Sequence, residues 1–560
     1  MSSSQNSSHV PLLIVGGGFV GLSAALFLNH HGVNTILVEK HSGTSIHPRS
    51  RSVNARTMEL YRELNIESTV QEAGKSMAPT MGYVSGRSLY AAISPQARRS
   101  PTKRTLKSLP FASVLATMGP VPGQFISLET LEPVLLSTLR DRGVETRFST
   151  ACKSISQNSS IVTAKLRNKE NAEEYEMTAD YLMAADGANS PIRTQLNIPL
   201  SEDKPESGHL LNIYFRASLG EFVQNREFSL GKVQREASSS LERTIDGLCT
   251  SINNSDRWVF HLSYDPAAGM DESPSGPVEI EILSVLPWQA SARVAQRMQE
   301  GRIFLAGDSA HQMPPCAGQG ANTGIADAHN LAWKLAAVLT SSSNSGSNRL
   351  KTISPALRRT YEKERLPIDT YAASVSGASA DSKGLFALKP NLTTAITLVQ
   401  RCFLVAGLSV WYQGPGVGVI PENPGLLRGA SWRAWSFSGL VMGIDGRPGR
   451  RAPHVWLQKR ADISEANKGT DGREWIKAAQ NVSSRLLACG LEFETYVIGG
   501  DEDHHYIPVD GRSAFETAAG ISNTGALLVR PDGFVAWRER RLPDKCGERL
   551  EEVMIRLLCL

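Results

Sequence analysis

The run Gly16-Gly17-Gly18-Phe19-Val20-Gly21 constrains the fold of this chain more than any other stretch. The apolar segment Pro11–Val15 precedes it, and a helical pattern, Leu22 to His31, follows. Gly32 ends that pattern as a helix-capping glycine does. A second apolar run, Thr35–Val38, stops at Glu39. Strand, turn, helix and strand within about 30 residues is the context in which G-x-G-x-x-G signals a dinucleotide fold. Gly16 permits the tight turn, Gly18 lets backbone approach a pyrophosphate, and Gly21 lets the helix sit close on the strand. The helix start offers unpaired N–H groups to phosphates. Glu39 can accept both ribose hydroxyls of an adenosine and would repel a 2′-phosphate, which suits FAD or NAD rather than NADP. A ligand-free glycine turn is the plainer alternative, and the flanking strands and Glu39 disfavour it.

One such unit accounts for a fraction of 560 residues, so two or three domains are expected. Hydrophobic residues make up 41% and charged residues 20%, which excludes a mostly disordered or fibrous chain. A net charge of +4 is small for this length and argues against nucleic acid as a partner. The seven cysteines (Cys152, Cys249, Cys316, Cys402, Cys489, Cys546 and Cys559) include no C-x-x-C pair. No zinc ribbon or dithiol motif is therefore available, and free thiols in a reducing compartment are expected. Met1–His9 lacks the basic and apolar regions of a signal peptide. The apolar stretch from Leu392 to Tyr412 is broken by Gln400 and Arg401, short of the roughly 18 uninterrupted residues of a membrane span. The expectation is a soluble cytoplasmic protein without stable membrane insertion.

Two further motifs extend the reading. Asp186-Gly187-Ala188-Asn189-Ser190 follows the apolar strand Tyr181–Ala185, with Arg193 close behind. Taken alone it reads as an ordinary turn. The second motif runs from Gly301 to Asp327: an apolar strand delivers Asp308, a Pro314-Pro315 loop follows, and small residues open a helix through Leu331–Leu335. The carboxylate at the strand end would stand near a polyol. The helix start would supply N–H donors to the electron-rich pyrimidine edge of a flavin.

With these motifs the chain resembles the single-component FAD-dependent aromatic hydroxylases, in particular the phenol hydroxylase and aromatic-polyketide hydroxylase branch. The resemblance also rests on His47-Pro-Arg49 through Arg56, Leu131-Glu-Pro, Tyr361-Glu-Lys-Glu-Arg365-Leu-Pro, Arg451-Ala-Pro-His and Val529-Arg-Pro-Asp-Gly. It implies an α/β fold: a Rossmann-like FAD-binding domain with an inserted β-sheet substrate domain, like p-hydroxybenzoate hydroxylase, and a C-terminal thioredoxin-like α/β domain. The implied boundaries are 1–195 for the first FAD segment, 196–298 for the substrate sheet, 299–435 for the second FAD segment with helices, and 436–560 for the thioredoxin-like part. That last part has no paired redox cysteines and is expected to serve structure and homodimer formation.

The resemblance implies that Gly16, Gly18, Gly21 and Glu39 hold the adenosine diphosphate half of FAD. Arg49 matches a flavin-contacting arginine, Asp308 would bind the ribityl chain, and Gly318, Gly320, Ala321 and Asn322 would bracket the isoalloxazine. Asp186 and Gly187 match a motif linked to both FAD and NADPH, so no second glycine fingerprint is needed. Leu128 stands where the family often has a flavin-side glutamine. Arg51 stands where phenol hydroxylase has its catalytic aspartate, so that acid–base does not carry over and Arg51 is itself the candidate catalytic residue. The implied reaction consumes NADPH or NADH and O2, and a flavin C4a-hydroperoxide hydroxylates an electron-rich aromatic substrate, phenolic and expected to be a polycyclic polyketide. Pro314 and Pro315 would form a rigid wall beside the flavin.

Strand character at Asn212–Arg216 and Trp258–Tyr264 marks the substrate sheet. Tyr214, Trp258 and Phe260 are the candidates to stack on a flat substrate, with plain sheet packing as the alternative. His261 falls on the face opposite Trp258 and Phe260 and is the candidate base, unless it is simply a hydrogen-bonded sheet histidine. Baeyer–Villiger oxidation of a ketone by the same flavin chemistry is the runner-up activity. A binding module that has kept the flavoprotein fold is a more distant one. A flavin-dependent halogenase is disfavoured by the lack of W-x-W-x-I-P.

Overall fold

The computed structural model describes residues 8–77, 82–94, 119–201, 209–235, 245–263, 279–315, 318–343, 356–379, 412, 418–420, 446–459, 470–487, 493–499, 505–510 and 513–558. The apolar run 392–411 and four of the seven cysteines lie outside these residues. Cys152, Cys249 and Cys546 are free thiols. The chain divides into two compact units. The first comprises Met1–Leu26, Ile36–Ala326 and Asp369–Ala406, and the second Phe27–Thr35, Asp327–Ile368 and Gly407–Leu560. Residues 196–298 thus fall in one unit with the first glycine motif, while residues 299–435 are shared between both.

The first unit contains two large sheets. The strand order of one is Gln299–Glu300, Ile303–Leu305, Glu174–Ala184, Ser8–Val15, Thr35–Val38, Glu145–Arg147. The antiparallel pair Thr150–Gln157 and Val162–Asn168 joins it beside Glu174–Ala184. Ser8–Val15 and Ile303–Leu305 both run parallel to Glu174–Ala184. Leu12, Leu13 and Ile14 are completely buried, as expected of a strand covered on both faces, which reads as a continuous apolar run rather than an alternating one. The helix after the glycine loop spans Phe19–His30, three residues earlier than the apolar pattern implied, because Leu22 N–H already bonds Gly18 C=O at 2.9 Å.

The other sheet has the order Glu281–Gln289, His209–Arg216, Arg257–Ser263, Ile245–Ser251, Leu230–Arg235, Tyr83–Gly86. Its register pairs Phe215 with Trp258, Tyr214 with Val259 and Asn212 with His261. Paired residues share a face, so Trp258 and Phe260 lie on one side and Tyr214 and His261 on the other. Trp258 and Phe260 pack with Val84, Ala92, Ile93, Val223 and Phe228. Tyr214 and Val259 pack with Met77 and Ile252, against Phe125 and Leu283.

The second unit has a core formed by the helices Thr470–Leu487 and Cys546–Leu558 around Val482, Leu486, Trp537, Leu550 and Val553. Ala526–Val529 and Val535–Glu539 pair antiparallel across Pro531-Asp532-Gly533, the turn expected there. Beside that turn is a buried charge network. Arg530 donates from Nη1 to Glu364 Oε1 at 2.7 Å and from Nη2 to Oε2 at 2.8 Å. Lys334 Nζ donates to Glu364 Oε2 at 2.7 Å, and Gly418 N–H to Oε1 at 2.7 Å. Arg530 also bonds Asp532, and its guanidinium lies 5.1 Å from the ring centroids of both Tyr412 and Trp333. Among the described residues no helix is long and apolar enough to cross a membrane.

Candidate active site

Three segments distant in sequence meet at the carboxyl ends of the parallel strands, where open α/β sheets bind ligands. Val15 leads into Gly16, Ala184 into Asp186, and Leu305 into Gly307-Asp308. Their backbones bond directly: Ala185 N–H to Val15 C=O at 2.8 Å, Ala306 N–H to Ala184 C=O at 3.0 Å, and Gly16 N–H to Val38 C=O at 2.8 Å. A Cβ on Gly16, whose φ is +116°, would lie 2.1 Å from Ala185 O, and a Cβ on Gly21 would lie 1.9 Å from Gly16 O. These two glycines therefore close the loop against protein. Gly18 is different, with only Glu132 Oε1, at 3.7 Å, facing the space a Cβ would fill. Gly187 and Gly318 have no described atom within 4 Å of that position. The cradle is thus tight on its protein side and open where a phosphate and a ring would enter.

Glu39 is buried, and its carboxylate accepts from Gly17 N–H at 2.6 Å and His41 N–H at 2.9 Å. Each oxygen keeps lone-pair capacity for a ribose hydroxyl. Glu132 was visible only as part of the Leu-Glu-Pro motif, with no role attached. Its carboxylate accepts from Phe19 N–H at 3.2 Å and Ser45 N–H at 2.7 Å, tying the helix start to the following loop. Burial raises its pKa against those two bonds. An acid on the apolar stripe Leu128, Leu131, Leu135, Leu139 was the available signal for it.

Asp308 stands in a 3-10 turn, Gly307–Ser309, with an exposed side chain. Arg49 is exposed as well. Gly324 lets the helix Gly320–Ser343 cross that turn, since a Cβ would meet Val20 Cγ2 at 2.7 Å and Gly307 Cα at 2.9 Å. That helix begins at Gly320, so Gly318 lies just before it, with Gly320, Ala321 and Asn322 in its first turn. The Asn322 side chain is already engaged: Oδ1 accepts from Asn54 N–H at 2.8 Å and Thr57 Oγ1 at 2.7 Å, and Nδ2 donates to Gly318 C=O at 2.8 Å. Pro314 is buried and Pro315 exposed. His311 lies in a two-residue strand paired with Arg293–Val294.

Asp186 turns both oxygens inward. Ser190 Oγ donates to Oδ1 at 2.6 Å and Ile192 N–H to Oδ2 at 3.1 Å. Burial raises its pKa, opposed by these bonds and by Arg193. The carboxylate thereby shapes the Gly187 turn, whose φ is +86°. Arg193 bridges the two motifs, donating to Ser309 C=O at 2.9 Å and Ala188 C=O at 3.2 Å.

The sheet candidates separate. Trp258 is fully buried, its ring stacks on Phe228 at 5.9 Å, and its indole N–H bonds Ala217 C=O at 3.0 Å. Phe260 packs into the same cluster, over Gly247. Both lie on the packing face; Trp258 is core, which corrects its expected role, while Phe260 is only partly buried. Tyr214, on the other face, meets His47 edge-on at 5.9 Å. His261 has both ring nitrogens engaged, Nδ1 with Asn212 Oδ1 at 2.6 Å and Nε2 with Thr250 Oγ1 at 3.1 Å. Burial, then His47 and Arg51, lower its pKa to about 4. A saturated, neutral imidazole is a sheet-bracing group, which corrects the reading of His261 as a base. Arg51 donates from Nη1 to Ser229 C=O at 2.7 Å, and burial lowers its pKa to about 10.

The comparisons agree with this arrangement. Residues 9–374 match the model described as FAD binding domain, and residues 445–559 match that of aromatic-ring hydroxylase, C-terminal. The chain is 32% identical to a tetracenomycin A2 monooxygenase-dioxygenase of Streptomyces glaucescens, over 99% of this chain and 97% of that protein. It is 32% identical to a 4-methyl-5-nitrocatechol 5-monooxygenase of Burkholderia sp, over 98% of each. The crystal structure of aklavinone-11 hydroxylase with FAD and aklavinone superposes with a TM-score of 0.75 at 26% identity, covering 99% of this chain and 100% of that one. The mixed α/β fold is therefore that of the FAD-dependent hydroxylases.

Proposed function

The chain belongs to the family of FAD-dependent aromatic-ring hydroxylases, and from that premise we propose that its substrate is a fused-ring phenol. It is a monooxygenase that uses FAD, NAD(P)H and O2 to hydroxylate an electron-rich aromatic ring. The observation that carries the cofactor assignment is the meeting of the Gly16, Asp186 and Asp308 segments at one end of one sheet, with Gly18, Gly187 and Gly318 left open. Gly16, Gly18, Gly21 and Glu39 would hold the adenosine diphosphate half of FAD. Arg49 and Asp308 would hold its middle, and the backbone of Gly318, Gly320, Ala321 and Asn322 the ring. When bound and reduced, FAD supplies the activation of O2 and the transfer of one oxygen atom. The chain's own residues orient the ring, exclude water and stabilise negative charge on the phenol oxygen. Pro314 and Pro315 would wall the site without offering an N–H that competes for that oxygen.

A fused-ring substrate is supported by the contacts of the segment 47–51 across the sheet and by the relatives. His47 bonds Ser284 on the strand Glu281–Gln289, while Arg51 bonds Ser229, next to the strand Leu230–Arg235. Through its side chains the short segment 47–51 thus touches one strand and the residue preceding another that lies four places away in the sheet. The relatives include enzymes named for tetracenomycin A2 and aklavinone, both larger than a single ring, alongside one named for a nitrocatechol. The four-part division at 195, 298 and 435, the thioredoxin-like character of 436–560 and a cytoplasmic homodimer joined through it complete the proposal. They rest on the family resemblance.

The test is turnover with labelled O2, NADPH and a series of phenols of one to four fused rings. Label should enter the ring, and kcat/KM should rise with ring number. Faster turnover of monocyclic phenols would reverse the size assignment, and a lactone product would replace hydroxylation with Baeyer–Villiger chemistry.

A further inference from the structure

His47 lies within the His-Pro-Arg segment, yet none of the roles assigned above uses it. It is 2% exposed. Its Nδ1 lies 2.7 Å from Ser284 Oγ, and its ring stands edge-on to Tyr214. Its Nε2 is buried and has no hydrogen-bond partner among the described residues. A polar atom buried in that state is costly and calls for a partner that the bare chain lacks. On the same segment, Nη2 of Arg51 is also buried and unpartnered among the described residues. His261 provides the contrast on this sheet face, because both its nitrogens are spent on Asn212 and Thr250. Two N–H-bearing groups carried by one flavin-side segment, and none from His261, remain unsatisfied over the Tyr214 face.

The chemistry of His47 then decides what it can do. Burial and the neighbouring Arg49 hold its pKa near 4, so the ring is neutral at neutral pH. A phenol loses its proton near pH 10, so taking that proton onto this imidazole would be uphill by about six pH units. His47 is a poor base and a good neutral hydrogen-bonding group. If the Ser284 hydroxyl donates to Nδ1, the ring proton resides on Nε2, the atom without a partner.

Building on the aromatic-hydroxylase reading, we propose that His47 Nε2–H donates a hydrogen bond to the substrate's ring oxygen, with Ser284 fixing the tautomer and Arg51 as the second donor. The phenol's O–H bond breaks with its proton passing to water and its electron pair staying on oxygen. The two donors then favour that anion. The same donors would accept a quinone carbonyl, which fits oxygen-rich fused-ring substrates.

The experiment uses FAD-loaded enzyme with 4-nitrocatechol as probe, because its phenolate is coloured. The pH at which the bound probe ionises is read from difference spectra. In the parent enzyme the bound probe should ionise at lower pH than free probe. His47→Phe keeps the edge contact to Tyr214 and removes the donor. At fixed pH it should lower the phenolate-to-phenol ratio about tenfold, while His47→Gln recovers most of it. Ser284→Ala, which leaves the ring in place, should lower the ratio by a smaller factor and serves if His47→Phe does not fold. Unchanged ionisation in His47→Phe and Ser284→Ala overturns the proposal. So does a His47→Phe enzyme that loses FAD affinity but ionises the probe normally. NADPH oxidation that no phenol accelerates in the parent enzyme would instead overturn the aromatic-hydroxylase reading itself.

Discussion

Two clusters, one in each unit, treat buried polar groups in opposite ways. In the second unit Glu364 receives five hydrogen bonds, from Arg530, Lys334, Asn330 and Gly418, and every member of that cluster is paired inside the protein. In the first unit Asp308 and Arg49 are exposed, and His47 Nε2 and Arg51 Nη2 are buried without partners among the described residues. Desolvating an ion is costly, and pairing of this kind offsets the cost without leaving donors for a ligand. The completed network holds the chain together, and the incomplete one leaves donors for a ligand. The motif Val529-Arg-Pro-Asp-Gly belongs to the first kind: Arg530 and Asp532 are fasteners, although their motif is as recognisable as the flavin motifs.

The largest test of that contrast removes one carboxylate. Glu364→Leu leaves Lys334 and Arg530 buried without their acceptor, and loss of a buried partner costs about 3–5 kcal/mol. Urea denaturation should show that loss. A cost below about 1 kcal/mol, the range of exposed pairs, would contradict the fastener role. Next comes Gly21→Ala in the first unit, whose added methyl would lie 1.9 Å from Gly16 O. The loop must shift, so purified protein should be free of FAD and lack flavin absorbance, while far-UV circular dichroism stays close to the parent's. Smaller again is Asp308→Asn. This side chain is exposed and not part of a completed network, so stability should stay within about 0.5 kcal/mol. FAD affinity, followed by flavin fluorescence, should fall at least tenfold. A stability loss as large as that of Glu364→Leu would erase the distinction between the two kinds of network.

What was legible in the sequence follows the same division. The glycine loop, Glu39 and the Gly307-Asp308 strand end were readable because their demands are local: a turn, a close crossing, a carboxylate at a strand end. The sheet was readable as far as alternation goes, and Trp258 and Phe260 do lie on one face with His261 on the other. Which face meets the flavin segments depends on what packs over each strand, and that was not in the local pattern. Phe228, Ala92 and Ile93 cover the Trp258 side, so the large aromatic that looked like a stacking platform is core. His47 and Arg193 were missed for a related reason. Their partners, Ser284 and Ser309, lie more than 100 residues away, and only the assembled fold pairs them.

The smallest effect tests the contrast through pH. His47 and His261 hold pKa values near 4 in the folded chain, against about 6.5 when unfolded. Between those values the unfolded chain binds more protons, so the stability of the first unit falls as pH drops from about 6.5 towards 4. Glu364 and Asp532 are depressed instead, because Arg530 and Lys334 outweigh the burial of Glu364, and Arg530 that of Asp532. Their contribution is complete above the ordinary carboxylate range, near 4.5 and 3.8, and is lost only as pH falls below it. Acid should therefore loosen the Tyr214–His261 face before it loosens the Arg530 cluster. Amide exchange, corrected for intrinsic rates, should accelerate between pH 7 and pH 5 for peptides from 209–263 and not for peptides from 526–558. His261→Gln should remove part of that acceleration, on the order of 1 kcal/mol at pH 5 after allowing for partial exposure. Equal acceleration in both sets of peptides would mean that pairing, or its absence, does not govern where the chain is acid-sensitive.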